Sequence, residues 1–539
     1  MSLLAKNLLG VFLVASCATI GLARVPDDDA GKAKLTARSL AESLMPIRPG
    51  QPGDRPFWNR YARRFIHAPA FDVDADPWPL VRAYRLTVHS KANGKDYVFE
   101  AAHPYAPLTP IWKDVPVGPA TLTVESLKER GGKPVKVTGT REFFRAAMFH
   151  GPYGNPVLPY GESAKRALEF QFRQPHYQAW KDGKPGPYHY HCYPAKMFAA
   201  TTKGMVALAR ITDDPRAAKQ ALLIARNAAT HLIGLCDPAG SPLAFVPPTY
   251  DDQHPVAKKS SWWKQRAEGR VMLTESFFAA DAWLDLYDVT GDAEYLEAVK
   301  RMVTTYAKCQ MPDGTWPLKV WRKTGKPFGA NVCIPTRQIL ILDRLVSQYG
   351  LREFQPVLDK AVQWVWDNPM RNYKWEGQFE DVPFNSGYLN LTHLGAVDFA
   401  RYLLHHVKQH PEYATTADTL LRFAEDQFVI WEKPTLRWNN AVVPCALEQY
   451  WCYRPIGASA LHLVQGWTEA YVVTSNELYL AKARSLANTQ TAVQDPETGQ
   501  YRTFWYDDGT NKTNNWDNCA VDCACVMLEL DNVVKSKSR

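Results

Sequence analysis

Covalent and metal reinforcement is scarce in this sequence, with 10 cysteines spread over 539 residues. Cys17 falls in the leader, and the remainder is an odd number, so at least one thiol has no partner within the chain. Cys519, Cys523 and Cys525 lie in an apolar helical stretch and read as small buried thiols. Cys445 and Cys452 share a loop and could bridge in an oxidising compartment. No Cys/His spacing reads as a zinc site, and no metal or other cofactor is expected. Clustered Lys/Arg runs are missing as well. The formal net charge of +8 hints at an anionic ligand, whereas nucleic acid would require a dense basic patch and is excluded as a partner. Beyond the leader, no apolar run is long enough to span a bilayer.

The leader, MSLLAKNLLGVFLVASCATIGLA, carries Lys6, an apolar run from Leu8 and a small-residue cleavage site at Gly21-Leu22-Ala23. It predicts a signal peptide over 1–23 and an exported protein, periplasmic or secreted. Val14-Ala15-Ser16-Cys17 also resembles a bacterial lipoprotein box. On that second reading a lipid on Cys17 supplies the membrane attachment. Residues 24–60 are polar and rich in Pro and Asp, and read as a tether.

What the sequence does have is two periodicities in succession. From Val81 to Phe149 short β-branched and aromatic runs alternate at period two, broken at Asn93-Gly94 and Gly131-Gly132. They predict a small antiparallel β-sandwich of immunoglobulin-like type over 61–150. GPYGNPVLPYG then supplies a linker over 151–162. From 163 to 534 the period is 3.6. Twelve helices are expected, beginning near Ser163, Tyr193, Pro215, Val271, Ala293, Ile334, Arg352, Leu391, Tyr413, Ile456, Glu477 and Asp517. Short turns such as ITDDP and VTGDAEY alternate with long connections at 174–192, 236–270, 310–333, 366–390, 431–455 and 491–516. Alternation of this kind is an internal repeat of helical hairpins. Six hairpins close into an (α/α)6 toroid, with the long loops gathered where the inner helices begin. The fold class is therefore mainly α, a toroid preceded by a small sheet.

One hairpin, VTGDAEYLEAVKRMVTTYAKCQMPDGTWPLKV, resembles the six-hairpin glycosidase superfamily through its Gly-Asp turn, its Gln310 and its Asp313-Gly314-Thr315-Trp316. DPETGQY at 495–501 echoes it. The resemblance implies the toroid fold and a carbohydrate-active enzyme, a group that includes hydrolases, lyases and epimerases. In loop character it is closest to unsaturated uronyl hydrolases and β-glucuronidases. The paired Asp motif of cellulases that carry a β-sandwich ahead of the barrel is missing.

Every long loop combines aromatic rings with polar or ionisable groups, as a sugar site requires. Ring faces stack on pyranoses, and carboxyl groups supply acid, base or nucleophile. The first loop has Tyr188, His189, Tyr190 and His191, and the second Asp251 and Asp252. The third offers Trp316, Lys319 and Arg322, suited to a uronate carboxylate. The fourth, YKWEGQFEDVPFNSGY, has Trp375, Glu376, Glu380, Asp381 and Tyr388. The fifth has Trp438, Asn439, Glu448, Tyr450 and Arg454, and the sixth Trp516. For any one acid the plainer alternative is a turn or cap. Three functions compete. A glycoside hydrolase on uronic-acid glycans would use Glu380 or Asp381, with Glu376, Asp251, Asp252 or Glu448 as partner. A polysaccharide lyase would use a Tyr or His base, here Tyr188, His189, Tyr190, His191 or Tyr450. A glycan-binding surface protein would use the aromatics alone. In each case the partner is an oligo- or polysaccharide, and the charge admits an anionic one.

Overall fold

The structure is a computed structural model and describes residues 29–47, 58–381, 388–433, 440–450, 454–508 and 515–537. The leader with Cys17 lies outside the described residues, as do Cys452, Trp438 and Asn439. Among the described residues no helix is long and apolar enough to cross a membrane.

Helix α1 (Asp29–Ser43) precedes a five-stranded sheet of β1 (Arg64–Phe65), β2 (Ala83–Ser90), β3 (Asp96–Ala101), β4 (Gly118–Leu127) and β5 (Pro134–Arg145). The strand order is β1-β5-β4-β2-β3, antiparallel except where β1 joins β5 in parallel. The alternating strands predicted from period two are present, but in one sheet and not in the two facing sheets of a sandwich. The reason is visible on the inner face. Trp112, Phe71 and Phe65 pack on Phe143 of β5, and the toroid supplies the rest of the cover that a second sheet would have given. The expected tether is also more ordered than its composition suggested. Leu35 and Ser39 of α1 are buried, and Glu42 reaches Lys482 of the toroid at 2.8 Å.

Twelve long helices follow among the described residues: α2 (Tyr160–Arg173), α3 (Pro194–Ile211), α4 (Pro215–Leu235), α5 (Ser276–Thr290), α6 (Ala293–Cys309), α7 (Thr336–Ser347), α8 (Gln355–Asp367), α9 (Leu394–His405), α10 (Tyr413–Phe428), α11 (Gly457–Thr474), α12 (Glu477–Val493) and α13 (Asp517–Lys537). The helices α3, α5, α7, α9, α11 and α13 each pack on the next, and α13 returns to α3, closing an inner ring. The other helices form the outer ring, with α2 packed on α13. Inner helices are largely buried and mostly apolar, with a few charged residues among them. In α3 the exceptions are Lys196, Lys203 and Arg210, seven residues apart and so on one face. That face looks into the toroid, where Lys203 pairs with Asp281 of α5 at 2.7 Å. Arg344 of α7 also reaches Asp281, at 3.1 Å, and Arg401 of α9 reaches Glu469 of α11 at 2.8 Å.

The Asp-Gly-x-Trp motif is a turn device. Gly314 has φ +103°, and a Cβ there would lie 2.2 Å from the carbonyl of Lys360. Gln310 donates to the Gly314 carbonyl at 2.8 Å. In the echo, Gln494 donates to the Gly499 carbonyl at 2.7 Å. The repeat is thus carried by hydrogen bonds as well as by sequence.

Candidate active site

Each long loop enters an inner helix, so the loops lie together at one end, and each is bonded to the next. Asp251 N–H donates to the Cys192 carbonyl at 2.9 Å, joining the second loop to the first. Strand β6 (Arg270–Met272) pairs with β7 (Lys319–Trp321), joining second and third. Gln378 takes the Ile334 N–H at 3.0 Å and donates to Val332 at 2.8 Å, joining third and fourth. Tyr450 N–H donates to Leu391 at 3.0 Å, and Val442 N–H to Trp505 at 2.8 Å, carrying the chain of bonds through the fifth and sixth. Tyr190 meets Trp516 edge to face at 6.5 Å, closing the circle.

At its middle stands an acid cluster. Glu380 is 5% exposed and accepts from Lys196 Nζ at 2.7 Å. Its backbone carbonyl accepts from the Tyr250 hydroxyl at 2.9 Å. Glu275, the residue before α5, is equally buried, and its Oε2 has no hydrogen-bond partner. Burial, with the charge of Glu380, pushes the Glu275 carboxyl up to about 8. Asp381, the residue after Glu380, is exposed. Burial and Glu380 push it up to about 6. Burial works against the Lys196 ammonium, but Glu380 and Glu275 more than offset it and raise its pKa. Arg337 of α7 lies on the ring of Phe278 at 3.6 Å, with Lys196 at 5.9 Å from the same ring. Carboxyl groups with unlike proton affinities, around one ammonium, are the arrangement from which acid and base roles are made.

No protein-family model matches the sequence, and no curated protein matches it. Solved structures do resemble the fold. Cellobiose 2-epimerase from Spirochaeta thermophila has a TM-score of 0.50 at 11% identity, over 71% of this chain and 99% of that one. A family 76 glycoside hydrolase from a bovine Bacteroides thetaiotaomicron strain has 0.49 at 10% identity, over 84% and 93%. An unsaturated glucuronyl hydrolase specific for heparin has 0.45 at 10% identity, over 70% and 98%. The chain has the six-hairpin glycosidase-like fold. At such identities the likeness carries the fold and leaves the chemistry to the site.

Within this six-hairpin frame the residues singled out in the sequence separate. Glu380 and Asp381 are in the cluster. Lys319 of β7 is 8% exposed, stands 5.3 Å from the Tyr250 ring and is drawn down to about 8 by burial and by Arg270. Glu448 is half-buried, and its charge, like that of Glu380, helps to raise the pKa of the buried Cys519 thiol. Tyr190 and Trp516 are half-exposed, and Arg454 is exposed beside Phe504. His189 is exposed, its ring 3.6 Å from that of Tyr190.

Other candidates are built into the scaffold. Asp252 accepts from the Trp263 indole at 2.8 Å and the Gly269 N–H at 2.9 Å, so both its oxygens anchor the second loop. Trp316 is fully buried and donates to the Tyr306 carbonyl at 2.7 Å, which leaves no ring face for a sugar. Trp375 and Tyr388 are also buried, Tyr388 against Tyr61 at 5.1 Å. Tyr450 donates its hydroxyl to Gln427 and stacks on Phe428. Arg322 is held by Asp237 at 2.6 Å. Glu376 bridges Leu391, and burial raises its pKa. His191 is buried, and burial drives its pKa down to about 3, which leaves a neutral ring against Phe198 and Tyr188. Tyr188 stacks on His176 at 4.3 Å. Cys445 is a buried free thiol. Among the described residues no three His, Cys, Asp or Glu side chains converge as a metal would need.

Sequence reasoning missed Glu275, Lys196 and Arg337. Placing the fourth helix near Val271 made Glu275 an ordinary helical residue, whereas α5 starts at Ser276. The available signal was the cation stripe on α3. Isolated charges on an otherwise apolar inner helix must face a polar interior.

Proposed function

We propose that this chain is a glycoside hydrolase acting on glycans that contain uronic acid. The observation that carries the reading is the gathering of Glu275, Glu380 and Asp381 around Lys196, two of the acids buried and Asp381 exposed, where burial and Glu380 raise the proton affinity of Glu275 further than that of Asp381. At neutral pH Glu275, with its pKa near 8, holds its proton and suits the general acid that protonates the leaving oxygen. Asp381, near 6 and open to solvent, is largely ionised and suits the base or nucleophile. Glu380 positions the pair: it fixes Lys196 and keeps Glu275 protonated. Lys319 supplies positive charge beside the cluster for a substrate carboxylate. Tyr190 and Trp516 supply ring faces for stacking.

The lyase alternative needs a phenol or imidazole ready to take a proton. Burial raises the pKa of Tyr188, Tyr190 and Tyr193, which makes their phenolates harder to form. A screen of uronic-acid polysaccharides and aryl glucuronides tests the proposal. Reducing ends released without the ultraviolet absorbance of an unsaturated uronate support hydrolysis. That absorbance would give the chemistry to elimination, and no turnover on any substrate would leave glycan binding alone.

A further inference from the structure

Five of the residues read as site candidates lie together, but not at the acid cluster. Tyr188, His191, Asp251, Asp252 and Arg322 line a separate pocket of about 450 Å³ between the first two long loops. Its place follows from α3. Lys196 and Phe198 are two residues apart and therefore about 200° apart around the helix. Lys196 faces Glu380, whereas Phe198 lines the pocket, on the other side of the helix. Tyr250 belongs to both sides: it lines the pocket, and its hydroxyl holds the Glu380 carbonyl at 2.9 Å.

We propose that this pocket is a second carbohydrate-binding site, which seats one pyranose unit beside the acid cluster. Its volume falls within the range of about 300–1,000 Å³ usual for small-molecule sites. Tyr188, Phe198 and Tyr250 give an apolar wall for the C–H side of a sugar. Asp251, Gln253 and His254 give hydroxyl partners around them. A lipid tail would leave those polar groups unanswered. A phosphate would find the one arginine already neutralised by Asp237. Pro185, Pro187, Pro194 and Pro248 in the walls fix the backbone, so the site is preformed and little ordering opposes binding. Because Tyr250 touches both sites, a sugar held here lies next to the loop that carries Glu380 and Asp381. The inference rests on the pocket's shape and lining, and not on the chemistry of the cluster.

The test uses methyl α-mannopyranoside as a neutral probe and methyl β-glucuronide as an acidic one, read by saturation-transfer NMR on the full chain. Leu235 lines the pocket from the end of α4, and Leu235→Trp would fill it without touching the acid cluster. At least one probe should bind wild type and Asp381→Asn alike, and bind Leu235→Trp at least tenfold more weakly at an unchanged melting temperature. Should that variant not fold, Asp251→Asn with Gln253→Ala should weaken the same probe severalfold. Absence of binding to wild type, or unchanged binding in the folded pocket variants, would overturn the proposal. Loss in Asp381→Asn but not in Leu235→Trp would also overturn it, by assigning the sugar to the cluster. Failure of the hydrolase reading looks different, namely no turnover with pocket binding intact.

Discussion

Lys196 Nζ lies 2.7 Å from Glu380 Oε1, joining the first inner helix to the fourth long loop, with the two side chains 17% and 6% exposed. The pair is the strut of the acid cluster. Glu380 is buried on that one ammonium, so removing it leaves a buried acid without its ion-pair partner. Lys196→Met should cost about 3–5 kcal/mol, as for a broken buried pair, while Lys196→Arg should retain most of it. Urea denaturation of both variants measures this. A loss below about 1 kcal/mol in Lys196→Met would mean that the pair is solvated like a surface bridge.

The cluster should also make stability depend on pH. The folded pKa of Glu275, about 8, lies above the ordinary carboxyl value of 4.5, so between those values the native state holds a proton that the unfolded chain has released. Its contribution is fully present below about 4.5 and is lost as pH rises through about 8. Thermal melts across pH 5 to 8 (roughly that window) should therefore fall more steeply for wild type than for Glu275→Gln. Parallel slopes would show that Glu275 is not held protonated.

Lys319 and Arg322 should behave differently. Replacing Lys319 with Met should raise KM far more for a uronate glycan than for its carboxyl-reduced form, since one charged hydrogen bond is worth about 1.5–3 kcal/mol. Arg322 already has Asp237, so Arg322→Met should lower the melting temperature and affect both substrates equally. Steady-state kinetics on the paired substrates separates the outcomes. An acid-selective loss at Arg322 would reverse the assignment.

The fold was largely legible because its signals are local and repeated. The change from period two to 3.6 marked the sheet and the toroid, and the alternation of turn lengths marked inner from outer helices. The single sheet was not legible, because what covers its face is Trp112, Phe71 and the toroid, and period two says only that one face is buried. At the site, residue type led to the loops but did not tell exposed side chains from core ones. Trp316 and Trp375 looked like stacking platforms and are core, since a large aromatic serves either end equally well. Glu380 and Asp381 were found together, and extended backbone turns neighbours to opposite sides, in keeping with one being buried on Lys196 and the other open. Glu275 and Arg337 meet them only through closure of the ring, over separations that no periodicity reports.

The central claim is that Asp381 and Glu275 act as a catalytic pair, with Glu380 as the strut. Its most direct test is kcat for Asp381→Asn on the best substrate of the uronate screen, taken with the melting temperature of the same variant. The account predicts a fall of at least about a hundredfold, the low end for a lost acid–base group, with the melting temperature nearly unchanged. Near-normal turnover in folded Asp381→Asn would contradict it and leave this loop as scaffolding.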